Sequence, residues 1–169
     1  MNSKLYMSFL FVIVSAICFG QDNKKPLSPK ETVNGKIGVA TVEIVYCKPS
    51  ARERQIMGGL VPYGEVWRTG ANAATTIEFS EEVKIEGKKL PAGKYELFTI
   101  PGESEWTIIF QEYAKQWGAF SYKQENDVLR VTVPAAKTPA FVETFSITIG
   151  TGKVTLAWEN TEVSFKVKG

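Results

Sequence analysis

The chain has 169 residues, 44% of them hydrophobic, and its 20 basic and 18 acidic side chains leave a net charge of +2. The lysines are scattered among glutamates and no basic run is longer than a pair such as Lys24-Lys25, so no footprint for a nucleic acid is present. There is no histidine, which excludes Ser-His-Asp and Cys-His catalysis together with zinc, copper and iron sites built on imidazole.

Taken in chain order, residues 1–20 have the layout of a secretory signal. Lys4 gives a positive start, Leu5 to Ile17 form an apolar stretch too short for a transmembrane span, and Cys18-Phe19-Gly20 puts small residues at the −3 and −1 positions. Cleavage after Gly20 would leave Gln21 first and take the charge from +2 to +1, Lys4 being the only charge lost. The expectation is an exported protein, periplasmic or secreted, that does not span the membrane. Lipidation of Cys18 is the competing reading, and the bulky Ile17 stands where such signals want a small residue. Past Gly20 a single cysteine remains, Cys47, so no intramolecular disulfide supports the fold. A lone thiol in an apolar run reads as a small buried hydrophobe.

Residues 21–36 (QDNKKPLSPKETVNGK) are polar, hold two prolines and read as a flexible leader to a single domain over residues 37–169. From there the pattern has period two. Ala40, Val42, Ile44 and Tyr46 alternate with Thr41, Glu43 and Val45, as in a half-buried antiparallel strand. Further strands are predicted at Thr75–Phe79, at Val83–Ile85 and Lys88–Leu90 around the turn Glu86-Gly87, and at Lys94–Ile100 after Pro91-Ala92-Gly93. Trp106–Gln111 and Val128–Val133 follow, with Trp106, Trp158, Tyr95 and Phe98 on core positions. Phe145–Ile149 turns through Gly150-Thr151-Gly152 into Val154–Trp158, and Asn160-Thr161 turns into Val163–Val167. Ala114–Tyr122 reads as a short helix or a loop. About nine or ten short strands with hairpin spacing predict an all-β, antiparallel two-sheet sandwich, jelly-roll-like in topology.

Residues 50–74 (SARERQIMGGLVPYGEVWRTGANAA) break the strand period for 25 residues. A segment that long without regular structure is uncommon in a compact domain and is often functional. Three of the four arginines lie here, Arg52, Arg54 and Arg68, and the arginine fork suits carboxylates, phosphates and carbonyl arrays. Tyr63 and Trp67 add flat amphipathic faces and Asn72 an amide that both donates and accepts. With Trp117 from the irregular segment that also carries Phe120 and Tyr122, these residues form a candidate site for a polar ligand: a glycan, a peptide or an anion. The structural alternative is that the arginines staple a long crossover by bonding backbone carbonyls, while Trp67 plugs the end of the fold.

The run YCKPSARERQIMGGLVPYGEVWRTGANAATTIEF, then LPAGKYELFTIPGESEWTIIF, WGAFSY at 117–122 and DVLRVTV at 127–133, resembles the bacterial family catalogued as domain of unknown function 2911. The resemblance implies an exported protein of the kind common in Bacteroidota. It implies that the 50–74 segment and the Trp117-Gly118 region belong to the family's defining pattern, and it brings no activity with it.

Two further functions stay in view. A glycan hydrolase would need one protonated and one ionised carboxyl in a common cleft, and Glu65 and Asp127 are the candidates. An accessory module of a cell-envelope assembly would use the 50–74 loop against a protein partner. Calcium would need an acidic loop, yet Asp22 and Asp127 are the only aspartates, so no metal and no cofactor is expected. The favoured reading is non-catalytic binding.

Overall fold

The computed structural model describes residues 26–169, so the segment read as a secretory signal, with Cys18, lies outside the described residues. The strands are β1 (Lys30–Ile37), β2 (Ala40–Cys47), β3 (Thr75–Phe79), β4 (Val83–Ile85), β5 (Lys88–Leu90), β6 (Gly93–Ile100), β7 (Glu105–Glu112), β8 (Asp127–Gly150) and β9 (Lys153–Lys168), with one 3-10 turn at Gln124–Asn126. All pair antiparallel in one nine-stranded order, β1-β2-β3-β6-β7-β8-β9-β4-β5. The all-β, antiparallel expectation holds at this level. The order does not divide into two sheets, and neighbours in sequence are neighbours in the sheet except on either side of one hairpin, where β3 and β4, and β5 and β6, are not paired, so the jelly-roll topology is not what the pairing displays. The exception is the β4–β5 hairpin, which leaves after β3 and pairs onto β9 through Lys84↔Lys168 and Ile85↔Val167.

Two long strands fold this ladder over its core. β8 pairs with β7 as far as Pro134 and with β9 from Ala135 onward. Pro134 lacks an N–H for the ladder, which suits it to the point where the strand changes partner. The two ends of the ladder then share one core, in which Ala40, Val42 and Ile44 of β2 are grouped with Ile147 of β8, Leu156 of β9 and Val167. β1 and β8 come close enough that a Cβ on Gly35 would lie 2.7 Å from Ile149 Cγ2, so glycine is what the approach admits.

Two sequence expectations are corrected. The segment read as a leader, residues 21–36, contains all of β1 but its last residue, Ile37; the strand begins at Lys30 and pairs with β2 along its length. It is an edge strand with mostly exposed or half-buried residues, so a strong apolar alternation is not required of it. The turn expected at Asn160-Thr161 is part of the continuous β9. What the polar residues there mark is an irregularity: the β8–β9 register shifts on both sides of Val142↔Glu159, and Glu159 takes a φ of 56°.

The 50–74 segment works largely as a seam. Ser50 bridges Thr144 of β8, the Ala51 N–H donates to the Glu143 carbonyl at 2.7 Å, and the Phe145 N–H donates to Pro49 O at 2.9 Å. Tyr46 extends the seam, its hydroxyl accepting the Ile147 N–H at 3.0 Å. These bonds satisfy the edge of β8 that faces β1 and β2.

Candidate binding groove

β6 and β7 carry buried residues on both of their faces. Tyr95, Leu97, Trp106, Ile108 and Phe110 enter the main core, whereas Phe98 and Ile109 form a second apolar cluster with Ala74 on the opposite face. The segment 113–123 lies over that second face, with Ala119 and Tyr122 packed against the cluster. It is a loop throughout, which settles the helix-or-loop alternative. Gly118 takes a φ of 72° in the turn that places Phe120, a conformation glycine adopts without strain.

A chain of polar contacts holds this loop down. Glu96, on β6, is 1% exposed, and its two carboxylate oxygens accept the Gln116 N–H at 2.5 Å and Gln116 Nε2 at 2.6 Å. Gln116 Nε2 also donates to Gln111 Oε1 at 2.7 Å, and Gln111 Nε2 in turn donates to Asp127 Oδ1 at 3.0 Å and to the Lys123 carbonyl at 2.8 Å. Asp127 Oδ2 accepts from the Tyr122 hydroxyl and from Arg130 Nε, and Arg130 NH2 donates to Tyr122 Oη at 2.6 Å. A buried carboxylate with no such donors would cost several kcal/mol, so the network makes the buried position of Glu96 tenable. Burial raises the Tyr122 phenol above its ordinary value, and its bond to Asp127 adds to that while Arg130 opposes it. For Arg130 burial works against the charge, but the bonds to Tyr122 and Asp127 outweigh it and hold the guanidinium above its usual range.

Between this loop and the outer face of β1, β2, β3 and β6 lies a groove of about 620 Å³. The strands contribute Lys30, Thr32, Glu43, Thr76, Lys94 and Glu96, with Val45 and Cys47 among them, and the walls are Ala73-Ala74 and Tyr113, Lys115, Gln116 and Trp117. Trp117 is 67% exposed, yet its backbone is fixed: it bridges Ala73, and the flanking Gln116 carbonyl and Gly118 N–H bond to the Ala74 N–H and the Asn72 carbonyl at 3.1 and 3.0 Å. Tyr113 is 46% exposed, and the Lys94 ammonium sits 5.4 Å from its ring centroid.

The residues singled out from sequence do not converge on one point. Arg52 NH2 donates to the Leu27 carbonyl at 2.8 Å, and Arg54 donates to the Ala51 and Ser50 carbonyls at 2.9 and 2.8 Å. Trp67 is buried in the main core, stacked 5.9 Å from Trp158, with its Nε1 donating to Gly70 O at 3.1 Å. Tyr63 is part exposed and its ring lies against Gly58, away from the groove lining. Arg68 is half-buried; burial lowers its guanidinium from the usual value, nearby Cys47 opposes that, and its Nε has no partner among the described residues. Of these residues only Trp117 lines the groove; Asn72 bonds the loop through its backbone carbonyl, which accepts the Gly118 N–H. Glu65 and Asp127 are also apart. Gly64, next to Glu65, bonds Pro101 at one end of β6, whereas Asp127 is in register with Gln111 and hence with Glu96. Five residues of strand separate Glu96 from Pro101, roughly 16 Å, beyond the spacing of a glycosidase carboxyl pair.

Sequence reasoning missed Glu96, Gln111, Gln116 and Arg130. The available signal was a glutamate inside the apolar run Tyr95–Ile100 and a glutamine closing Ile108–Gln111. Among the described residues no group of three or more His, Cys, Asp or Glu side chains is arranged to hold a metal ion, and no helix is long and apolar enough to cross a membrane.

A protein-family model described as "Protein of unknown function (DUF2911)" matches residues 28–167. No curated protein and no solved structure matches the chain.

Proposed function

The chain belongs to the DUF2911 family of proteins of unknown function, and from that premise we propose that it is an exported, non-catalytic binding protein that takes a saccharide in the groove beside Trp117. The observation that carries the reading is Trp117 itself. A large aromatic side chain left mostly in water, on a backbone pinned from both sides, is a surface prepared for a partner rather than a packing residue. Tyr113 offers a second ring, and Thr32, Thr76 and Glu43 supply the few polar groups that fix orientation in such a site. A sugar presents both a C–H face for the rings and hydroxyls for the polar floor. The folding of the ladder's two ends over one core supports a sandwich-like reading of the scaffold.

The test uses the contrast among the four tryptophans: Trp67, Trp106 and Trp158 are buried and Trp117 is exposed. Titration with a panel of oligosaccharides is expected to change emission saturably and to protect Trp117 from aqueous quencher. Trp117→Ala should abolish binding at an unchanged urea midpoint. Binding by Trp117→Ala equal to that of the unsubstituted chain, or no response to any saccharide, sinks the proposal.

A further inference from the structure

The groove's charge narrows the ligand class. Lys30, Lys94 and Lys115 line it, and its carboxylates are Glu43 and Glu96. Glu96 is enclosed and both its oxygens are already bonded to Gln116, so it is internal structure more than ligand-facing charge. Lys94 is paired with Glu78 at 3.5 Å, while Lys30 and Lys115 are exposed and have no acidic partner within 4.0 Å among the described residues. Two unpaired ammonium groups, Lys30 and Lys115, therefore line a groove whose one half-buried free carboxylate is Glu43. The groove holds no arginine, so the positive charge comes as hydrated point charges and not as the planar fork that grips phosphate in two places. Trp117 and Tyr113 stand on the same side as Lys115.

We infer that the groove selects an acidic saccharide, a sugar whose ring carries a carboxylate: the ring stacks on Trp117 and the carboxylate meets Lys115 and Lys30. This rests on the groove being a saccharide site, and the experiment separates the two claims. The probes are tetragalacturonate and the uncharged galactotetraose, titrated against the full chain at low and high salt. Tetragalacturonate is expected to bind on the order of tenfold more tightly at low salt, with the advantage shrinking as salt screens the lysines. Lys30→Gln and Lys115→Gln should each weaken tetragalacturonate binding roughly twofold to fivefold and leave galactotetraose binding unchanged. Equal affinity for the two probes, insensitive to salt and to both lysine substitutions, overturns the charge inference while leaving the saccharide groove standing. No binding of either probe, or binding undiminished in Trp117→Ala, overturns both. The lysines are exposed, so a folding failure does not confound the variants, and unchanged melting temperatures check this.

Discussion

Two tryptophans of one chain do opposite work. Trp67 stacks on Trp158 and meets Phe145 and Trp106 edge-on at 5.1 and 6.2 Å, closing the main core from the 50–74 segment. Removing that ring leaves a cavity, and Trp67→Ala is expected to cost about 3–5 kcal/mol in urea unfolding. Trp117 packs on little, and Trp117→Ala should change stability by no more than about 0.5 kcal/mol. Similar losses for both variants would mean that Trp117 is a packing residue. Glu96 gives a second test at this scale. Glu96→Gln keeps the size but turns an N–H₂ toward a group that donates, so one Gln116 bond is lost. The expected cost is about 1–3 kcal/mol, with faster amide hydrogen exchange through residues 113–123. Unchanged exchange there would show that the loop is held by something other than this carboxylate.

At the scale of elements, β1 is where the structure departs furthest from the sequence reading. It pairs with β2 from Lys30↔Cys47 to Ile37↔Ala40 and supplies Lys30 and Thr32 to the groove. Compared with a chain starting at residue 26, one starting at 38 should lose about 3–5 kcal/mol, since Ile37 leaves the core, Val33 no longer covers it, and β2 becomes an open edge. Equal melting temperatures for the two would restore the leader. β2, β3, the β4–β5 hairpin, β6 and β7 were legible to within a residue or two, because each alternates apolar and polar side chains or turns at a glycine. β1 was not, because a polar edge strand whose apolar residues are Val33 and, at its end, Ile37 lacks that alternation. The unbroken length of β8 and β9 was hidden too. Asn160-Thr161 read as a turn, and the ladder accommodates it beside a shifted register, while β8 runs on through its change of partner after Pro134. The groove was less legible than the fold: Glu96 and Gln116 are 20 residues apart, and alternation assigns Glu96 to a face without telling what covers that face.

The molecule as a whole is held without a disulfide among the described residues, so its stability rests on the shared core, the seam and the buried polar chain. Three phenols give this a pH signature. Burial raises Tyr46, opposed by the N–H of Ile147 donating to it, and burial raises Tyr95 and Tyr122 as well. A phenol raised in the folded state holds its proton more tightly there than in the unfolded chain. Its contribution is therefore complete below the ordinary phenol value near 10 and is lost as pH climbs through the higher folded values. Melting temperature should fall with rising pH above about 10, and Tyr46→Phe should flatten part of that fall while lowering stability at neutral pH by about 1–3 kcal/mol, because the Ile147 N–H loses its acceptor. A pH profile identical in Tyr46→Phe would remove Tyr46 from the explanation. The central claim, a saccharide groove on the outer face of the sheet, is tested most directly by amide and indole chemical-shift mapping during titration with tetragalacturonate. The account predicts shifts confined to the Trp117 indole, residues 113–117, Ala73-Ala74 and the outer positions of β1, β2, β3 and β6. Shifts centred instead on Arg52, Arg54 and Tyr63, with the Trp117 indole unmoved, would contradict it.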